Sequence, residues 1–114
     1  PEVQHHVAEM VMELEAIGAQ VERMTTDWAA GVQHPDWPIK IVAAKYRAVE
    51  GAWRIVDRAL DASGGFGMFK KSELERLFRD CRAGRFHPAN AALSREVVGK
   101  LALGINPDET PRWG

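Results

Sequence analysis

Apolar residues recur at Val3, Val7, Met10, Leu14, Ile17, Val21, Met24 and Trp28, in steps of four and three. That spacing keeps them on one side of a 3.6-residue period and predicts a long first helix over 3–31. The run holds no proline after Pro1 and stops at Gly31, ahead of His34, Pro35, Asp36 and Pro38. Ile39, Val42, Tyr46, Val49, Trp53, Val56 and Leu60 repeat the spacing and close at Ser63, Gly64 and Gly65. They predict a second long helix over 37–63, with Asp36 as its N-cap and Pro38 in its first turn. Ala43, Ala44, Ala48, Gly51, Ala52 and Ala59 place small residues on a further face of this helix, which suits packing on more than one side.

Two shorter helices follow. Ser72 and Glu75 have capping-box spacing, and Leu74, Leu77, Phe78 and Cys81 lie at i, i+3, i+4 and i+7 before Gly84. Pro88 suits a first turn, and Leu93, Val97 and Leu101 mark a fourth helix that Gly104 would terminate. No stretch alternates with period two for long enough to make a strand, and no repeat of fixed period occurs. The expected class is all-α: an antiparallel, up-down helical bundle of two long and two short helices over 1–104, with an irregular tail over 105–114.

At 114 residues the chain is one domain, and 46% hydrophobic with 27% charged residues excludes both disorder and burial in lipid. No apolar run is long enough to span a bilayer and no secretory signal is visible, so the cytoplasm is expected and a membrane partner is not. The single Cys81 can form no internal disulfide. A chain that opens on Pro1 is expected to be a processed or excised piece of a longer one. Its net charge of −1 conceals an asymmetry: residues 1–36 carry seven acids against Arg23, whereas residues 37–100 carry 13 bases against seven acids. The densest basic stretch, Lys70 to Arg85, is either a place for a phosphate-bearing partner or a solvated face laced with ion pairs.

Little else suggests chemistry by itself. Glu2 and His5 have the Glu-x-x-His spacing of bundle di-iron sites, but the pair occurs once and no metal site is expected. Cys81 falls on the apolar face of the third helix, as a buried, inert thiol does. No nucleophile elbow or Walker-type loop is present. With one tyrosine, no aromatic interleaving and no DNA-binding motif, nucleic acid is not an expected partner. Ser63-Gly64-Gly65-Phe66-Gly67 stands out, since glycines there serve either a helix stop or close approach to a phosphate-bearing ligand.

Taken with its neighbours, that turn carries a resemblance. Lys45-Tyr46, then Ala59-Leu60-Asp61-Ala62-Ser63-Gly64-Gly65-Phe66-Gly67, then Leu74-Glu75-Arg76-Leu77-Phe78-Arg79-Asp80-Cys81-Arg82 resemble the C-terminal helical domain of acyl-CoA dehydrogenases. In that family a helix ends in Gln-x-x-Gly-Gly-x-Gly, a short helix carries an Arg-Asp dipeptide, and a last helix follows. The opening Val3-Gln4-His5-His6-Val7-Ala8-Glu9-Met10 is similar to the domain's second long helix, so a first helix and two upstream domains are expected to be missing. The resemblance implies an FAD enzyme that removes the α-proton of an acyl-CoA thioester with a carboxylate and passes the β-hydride to flavin. It implies that Gly64 and Gly65 contact the FAD of a neighbouring subunit. Asp61 stands where the family's Gln does, and an ionised carboxylate cannot donate a hydrogen bond. Arg79 and Asp80 match the Arg-Asp dipeptide, with structural pairing and helix placement as their expected role.

The catalytic base departs most from the family pattern. Where many members have Tyr-Glu-Gly-Thr, this chain has His87-Pro88-Ala89-Asn90, and Pro88 cannot accept a proton. Asn90 either hydrogen-bonds to the flavin or caps the last helix. Three readings stay open: a base on the missing preceding helix, a dehydrogenase-like subunit without that activity, or a related flavin monooxygenase in which His87 serves as acid or base. The resemblance also implies a homo-oligomer, a dimer or tetramer with a helix-on-helix interface. FAD is not expected to stay with the isolated chain.

Overall fold

Left-handed glycines at three helix ends and Pro38 in a first turn set most element boundaries of the computed structural model, which describes residues 1–108, whereas Pro88 lies two residues before the N-cap Asn90 and not in the first turn expected of it. Helix α1 spans Glu2–Ala29 and gives way at Gly31, whose φ is 69°. Helix α2 spans Trp37–Ser63 and ends at Gly64, φ 62°. A 3-10 helix, Gly64–Met68, leads to α3, Glu73–Gly84, and α4, Ala91–Ala102, is stopped by Gly104 at φ 73°. The described residues contain no strand, so the all-α class holds. Residues 105–108 are irregular, and the rest of the expected tail, 109–114, lies outside the described residues.

Helix α2 is the hub, touching α1, the 3-10 helix, α3 and α4, whereas α2 is the one described helix that α1 touches. Trp28 meets Trp37 edge-on at 5.3 Å, and Arg54 is ion-paired with Glu13. Contacts whose numbers run in opposite directions mean that α1 and α2 are antiparallel. They approach closely because Gly51 is bare: a Cβ there would stand 2.1 Å from Ile17 Cδ1. The small-residue face of α2 thus receives α1, while Trp53, on its main stripe, packs against Phe78 of α3 at 4.8 Å. The α1–α2 turn is tied by His34, whose Nε2 lies 2.8 Å from the Asp27 carboxylate and whose ring abuts Trp37. Arg23 and then His34 hold that carboxyl below its ordinary range.

Several expected details differ. No residue of α1 is buried. Met10, Ile17, Val21 and Met24 are half-covered by α2, whereas Val3, Val7, Leu14 and Trp28 of the same stripe are exposed. The apolar arc is wider than one neighbouring helix can cover. Asp36 takes the N-cap position without capping, because its φ of −104° and ψ of 26° are not those that aim a side chain at N2 or N3. Ser72 does cap α3, accepting from the Leu74 N–H at 3.2 Å, but the reciprocal half of the box is not made. Glu75 pairs with Arg79 instead, 2.7 Å away, and the Ser72 N–H donates to the Phe69 carbonyl. On α4 the innermost residue is Ser94, while Leu93 is exposed.

Candidate functional site

Two segments carry the expected site residues, and α2 separates them. Lys45 and Gly64 are 19 residues apart on one helix, about 28 Å at 1.5 Å per residue. Among the described residues no hydrogen bond, ion pair or ring contact joins the turn after α2 to the loop before α4.

The turn is built by the end of α2. The Gly64 N–H donates to the Asp61 carbonyl, and Ser63 Oγ donates to the Leu60 carbonyl at 2.9 Å. Its three glycines have three different reasons. Gly64 needs the left-handed backbone. Gly67 is buried, and a Cβ there would come within 2.5 Å of Ser63 Oγ and 2.6 Å of Leu60 Cδ2. Gly65 has neither constraint: its φ is not left-handed and a Cβ would meet nothing within 4 Å. Asp61 is exposed beside it, and the last carbonyls of α2 also point this way. A helix C-terminus of this kind presents carbonyls, unlike a helix N-terminus that cradles phosphate. Phe66, Met68 and Phe69 project from the same turn, exposed at 80%, 65% and 66%.

The loop before α4 is held from two sides. Ala89 has φ 61°, a conformation uncommon for a residue with a Cβ, and its carbonyl accepts from buried Ser94 Oγ at 2.9 Å and from Lys45 Nζ at 3.2 Å. Lys45 Nζ also donates to the Pro88 carbonyl and lies 3.4 Å from His87 Nδ1. The Lys45 stem enters a cleft shared with Tyr46, Val49, Glu50 and Ser94. Asn90 is the N-cap of α4, its Oδ1 accepting from the Leu93 N–H at 3.1 Å, which leaves its amide NH2 as a donor. Arg85, just before the loop, reaches back to buried Glu50 at 3.2 Å. His87 and Asn90 are therefore brought together, and Asp61, Gly64 and Gly65 form a separate group.

The basic stretch resolves into ion pairs. Arg76 binds Glu73 and Asp80, Arg79 binds Glu75, and Arg82 lies over the Trp53 ring, 4.9 Å from its centroid. Lys70 and Lys71 make none of these contacts. Arg79 and Asp80 each pair one turn back on their own exposed helix, so these ion pairs steer no neighbouring helix. Burial and the Asp80 charge push the Cys81 thiol up, which opposes thiolate chemistry. Among the described residues no group of three His, Cys, Asp or Glu could hold a metal ion, and no helix is long and apolar enough to cross a membrane. The tie of Lys45 to the Pro88 carbonyl spans 43 residues and leaves no local signal in the sequence, and Ser94, facing inward, carries none of the apolar pattern that marks a core position.

The family model of the acyl-CoA dehydrogenase C-terminal domain matches residues 1–92. The chain belongs to that family. It is 28% identical over 101 residues to (R)-benzylsuccinyl-CoA dehydrogenase of Thauera aromatica, covering 89% of this chain and 24% of the relative. It is 30% identical over 100 residues to the mitochondrial short/branched chain specific acyl-CoA dehydrogenase of Bos taurus, covering 86% and 22%. It is 28% identical over 110 residues to the oxygenase component of p-hydroxyphenylacetate 3-hydroxylase from Acinetobacter baumannii, covering 91% and 26%. The chain thus spans about a quarter of the length of these relatives. No solved structure matches it.

Proposed function

We propose that this chain is the C-terminal helical part of an FAD-dependent, acyl-CoA dehydrogenase-like oxidoreductase, supplying one wall of a flavin site and a helix-on-helix assembly face. The observation that carries the reading is Gly65. Its bareness serves neither its own backbone nor any contact among the described residues, and so fits close approach by something outside them. The electronegative end of α2 and the Asp61 carboxylate suit an uncharged part of the cofactor better than its pyrophosphate. The flavin, when bound, supplies the hydride acceptance that side chains lack. Gly64 and Gly65 shape the turn beside it, and Asn90 keeps an amide donor available in the other segment. The helix length between turn and loop supports their serving different flavins, as in an oligomer where a turn reaches a neighbour's site.

For α,β-dehydrogenation of an acyl-CoA thioester, the proton acceptor comes from a segment that precedes this chain, because Pro88 offers none. A second reading, a flavin-dependent monooxygenase of the same fold, is favoured by His87, the titratable side chain of this loop. The two separate by assay of the intact protein. Acyl-CoA-dependent dye reduction supports the first, and substrate-dependent hydroxylation with reduced flavin and oxygen supports the second. The flavin wall itself is tested by Gly65→Ala, which should lower flavin content with helicity unchanged. Full flavin retention in that variant would overturn it. The isolated chain should be inactive and colourless, since it offers one edge of the site, and stoichiometric FAD in it would contradict this.

A further inference from the structure

The loop before α4 carries its one titratable ring in an asymmetric setting. His87 Nδ1 faces inward, 3.4 Å from Lys45 Nζ and 3.1 Å from the Pro88 carbonyl, whereas Nε2 has no partner among the described residues. Lys45 donates to the Pro88 and Ala89 carbonyls and has one N–H left over. An ammonium has no lone pair, so the close approach is favourable only if Nδ1 offers its own. The competing arrangement, Nδ1–H donating to the second lone pair of the Pro88 carbonyl, would turn a donor hydrogen toward the Lys45 ammonium.

We propose that Lys45 is a positioning residue for His87: it pins the 87–90 loop to α2 and fixes the imidazole as the neutral Nε2–H tautomer, facing the site as a hydrogen-bond donor. This rests on the reading of the 87–90 loop as part of a flavin-dependent active site, but its first test does not. Ser94 holds the Ala89 carbonyl independently, so removing Lys45 frees the ring without releasing the whole loop.

The tautomer is read by nitrogen chemical shifts of 15N-histidine-labelled chain at neutral pH. A single Nε2–H form is expected in the wild type, a mixture of both tautomers in Lys45→Met, and recovery in Lys45→Arg. Should Lys45→Met lose helicity, Lys45→Gln, whose amide N–H sits one bond nearer the backbone and falls short of Nδ1, takes its place with the same mixture expected. An Nδ1–H ring in the wild type, or the same ring shifts with and without Lys45, overturns the proposal. In the intact protein, Lys45→Met should lower kcat about 10²-fold, as misplacing a reacting group by about 1 Å does, with KM held and Lys45→Arg partly rescuing. If His87→Ala turns over at the wild-type rate while the tautomer result stands, the reading of the loop as catalytic fails and the Lys45–His87 coupling survives.

Discussion

Gly65 and Gly67 stand two residues apart in one turn and answer to different neighbours. A methyl group at Gly67 would press on Ser63 Oγ, Leu60 Cδ2 and Leu74 Cδ2, at 2.5, 2.6 and 3.0 Å, so Gly67→Ala should cost about 1–3 kcal/mol, as overpacking does. Gly65→Ala meets open space and should leave the chain's denaturation midpoint in place, while it alone lowers flavin content in the intact protein. Urea denaturation of the two variants checks the contrast, and an equal loss in both would mean that Gly65 is a packing residue. Ser94 shows the same logic with a polar group: it is 2% exposed and its hydroxyl anchors the Ala89 carbonyl. Ser94→Ala should destabilise by about 1 kcal/mol, measured the same way, since Lys45 still satisfies that carbonyl. The packing roles of Gly67 and Ser94 were not legible in the sequence, since their neighbours are set by the folded chain and no periodic pattern marks them. Gly31, Gly64 and Gly104 were legible, because a left-handed residue after a periodic run is a local feature.

Between elements, the polar ties are few and charged. Arg54 binds Glu13 across the α1–α2 interface where Gly51 lets the helices close up. That hydrogen bond, ahead of the opposing effect of burial, holds the Glu13 carboxyl below its ordinary value of 4.5. A carboxyl with a lowered pKa in the folded state binds protons more tightly when unfolded. Its stabilisation is complete above the unfolded value and is lost as the pH falls through the folded one. Because both side chains are partly exposed, the pair is worth about 0.5–1 kcal/mol at neutral pH. Thermal unfolding of wild type and Glu13→Gln should therefore differ most near neutrality, and the gap should close as the pH drops below about 4. A gap that stays constant with pH would assign the effect to shape instead of charge. The sequence showed two long helices with complementary faces, yet it could not show that the acidic residue of α1 and the basic residue of α2 meet, since 41 positions separate them.

At the scale of the whole molecule, α1 is the element that this chain does not finish. Among the described residues it has no buried side chain and leans on α2 alone of the helices, leaving Val3, Val7 and Leu14 at 56%, 46% and 59% exposure in one stripe. Trp28 continues that stripe and borders an apolar hollow with Met24, Thr25 and Ile41. Apolar faces of such length on soluble proteins are sites of association, and burying one Leu or Val side chain contributes about 1.5–3 kcal/mol. The isolated chain should accordingly form a dimer or tetramer through α1, helix on helix. Lysine at Val7 or Leu14 should weaken that association at least about tenfold in dissociation constant, since one such side chain is worth more than 1.4 kcal/mol. Leu103→Lys, at a still more exposed leucine after α4, should leave it unchanged and controls for added charge. Sedimentation at micromolar concentration reads all three. A wild-type chain that sediments as a monomer would show that the α1 face has no affinity for its own copy, and a loss with Leu103→Lys as large as with Leu14→Lys would move the interface to the other side of α2.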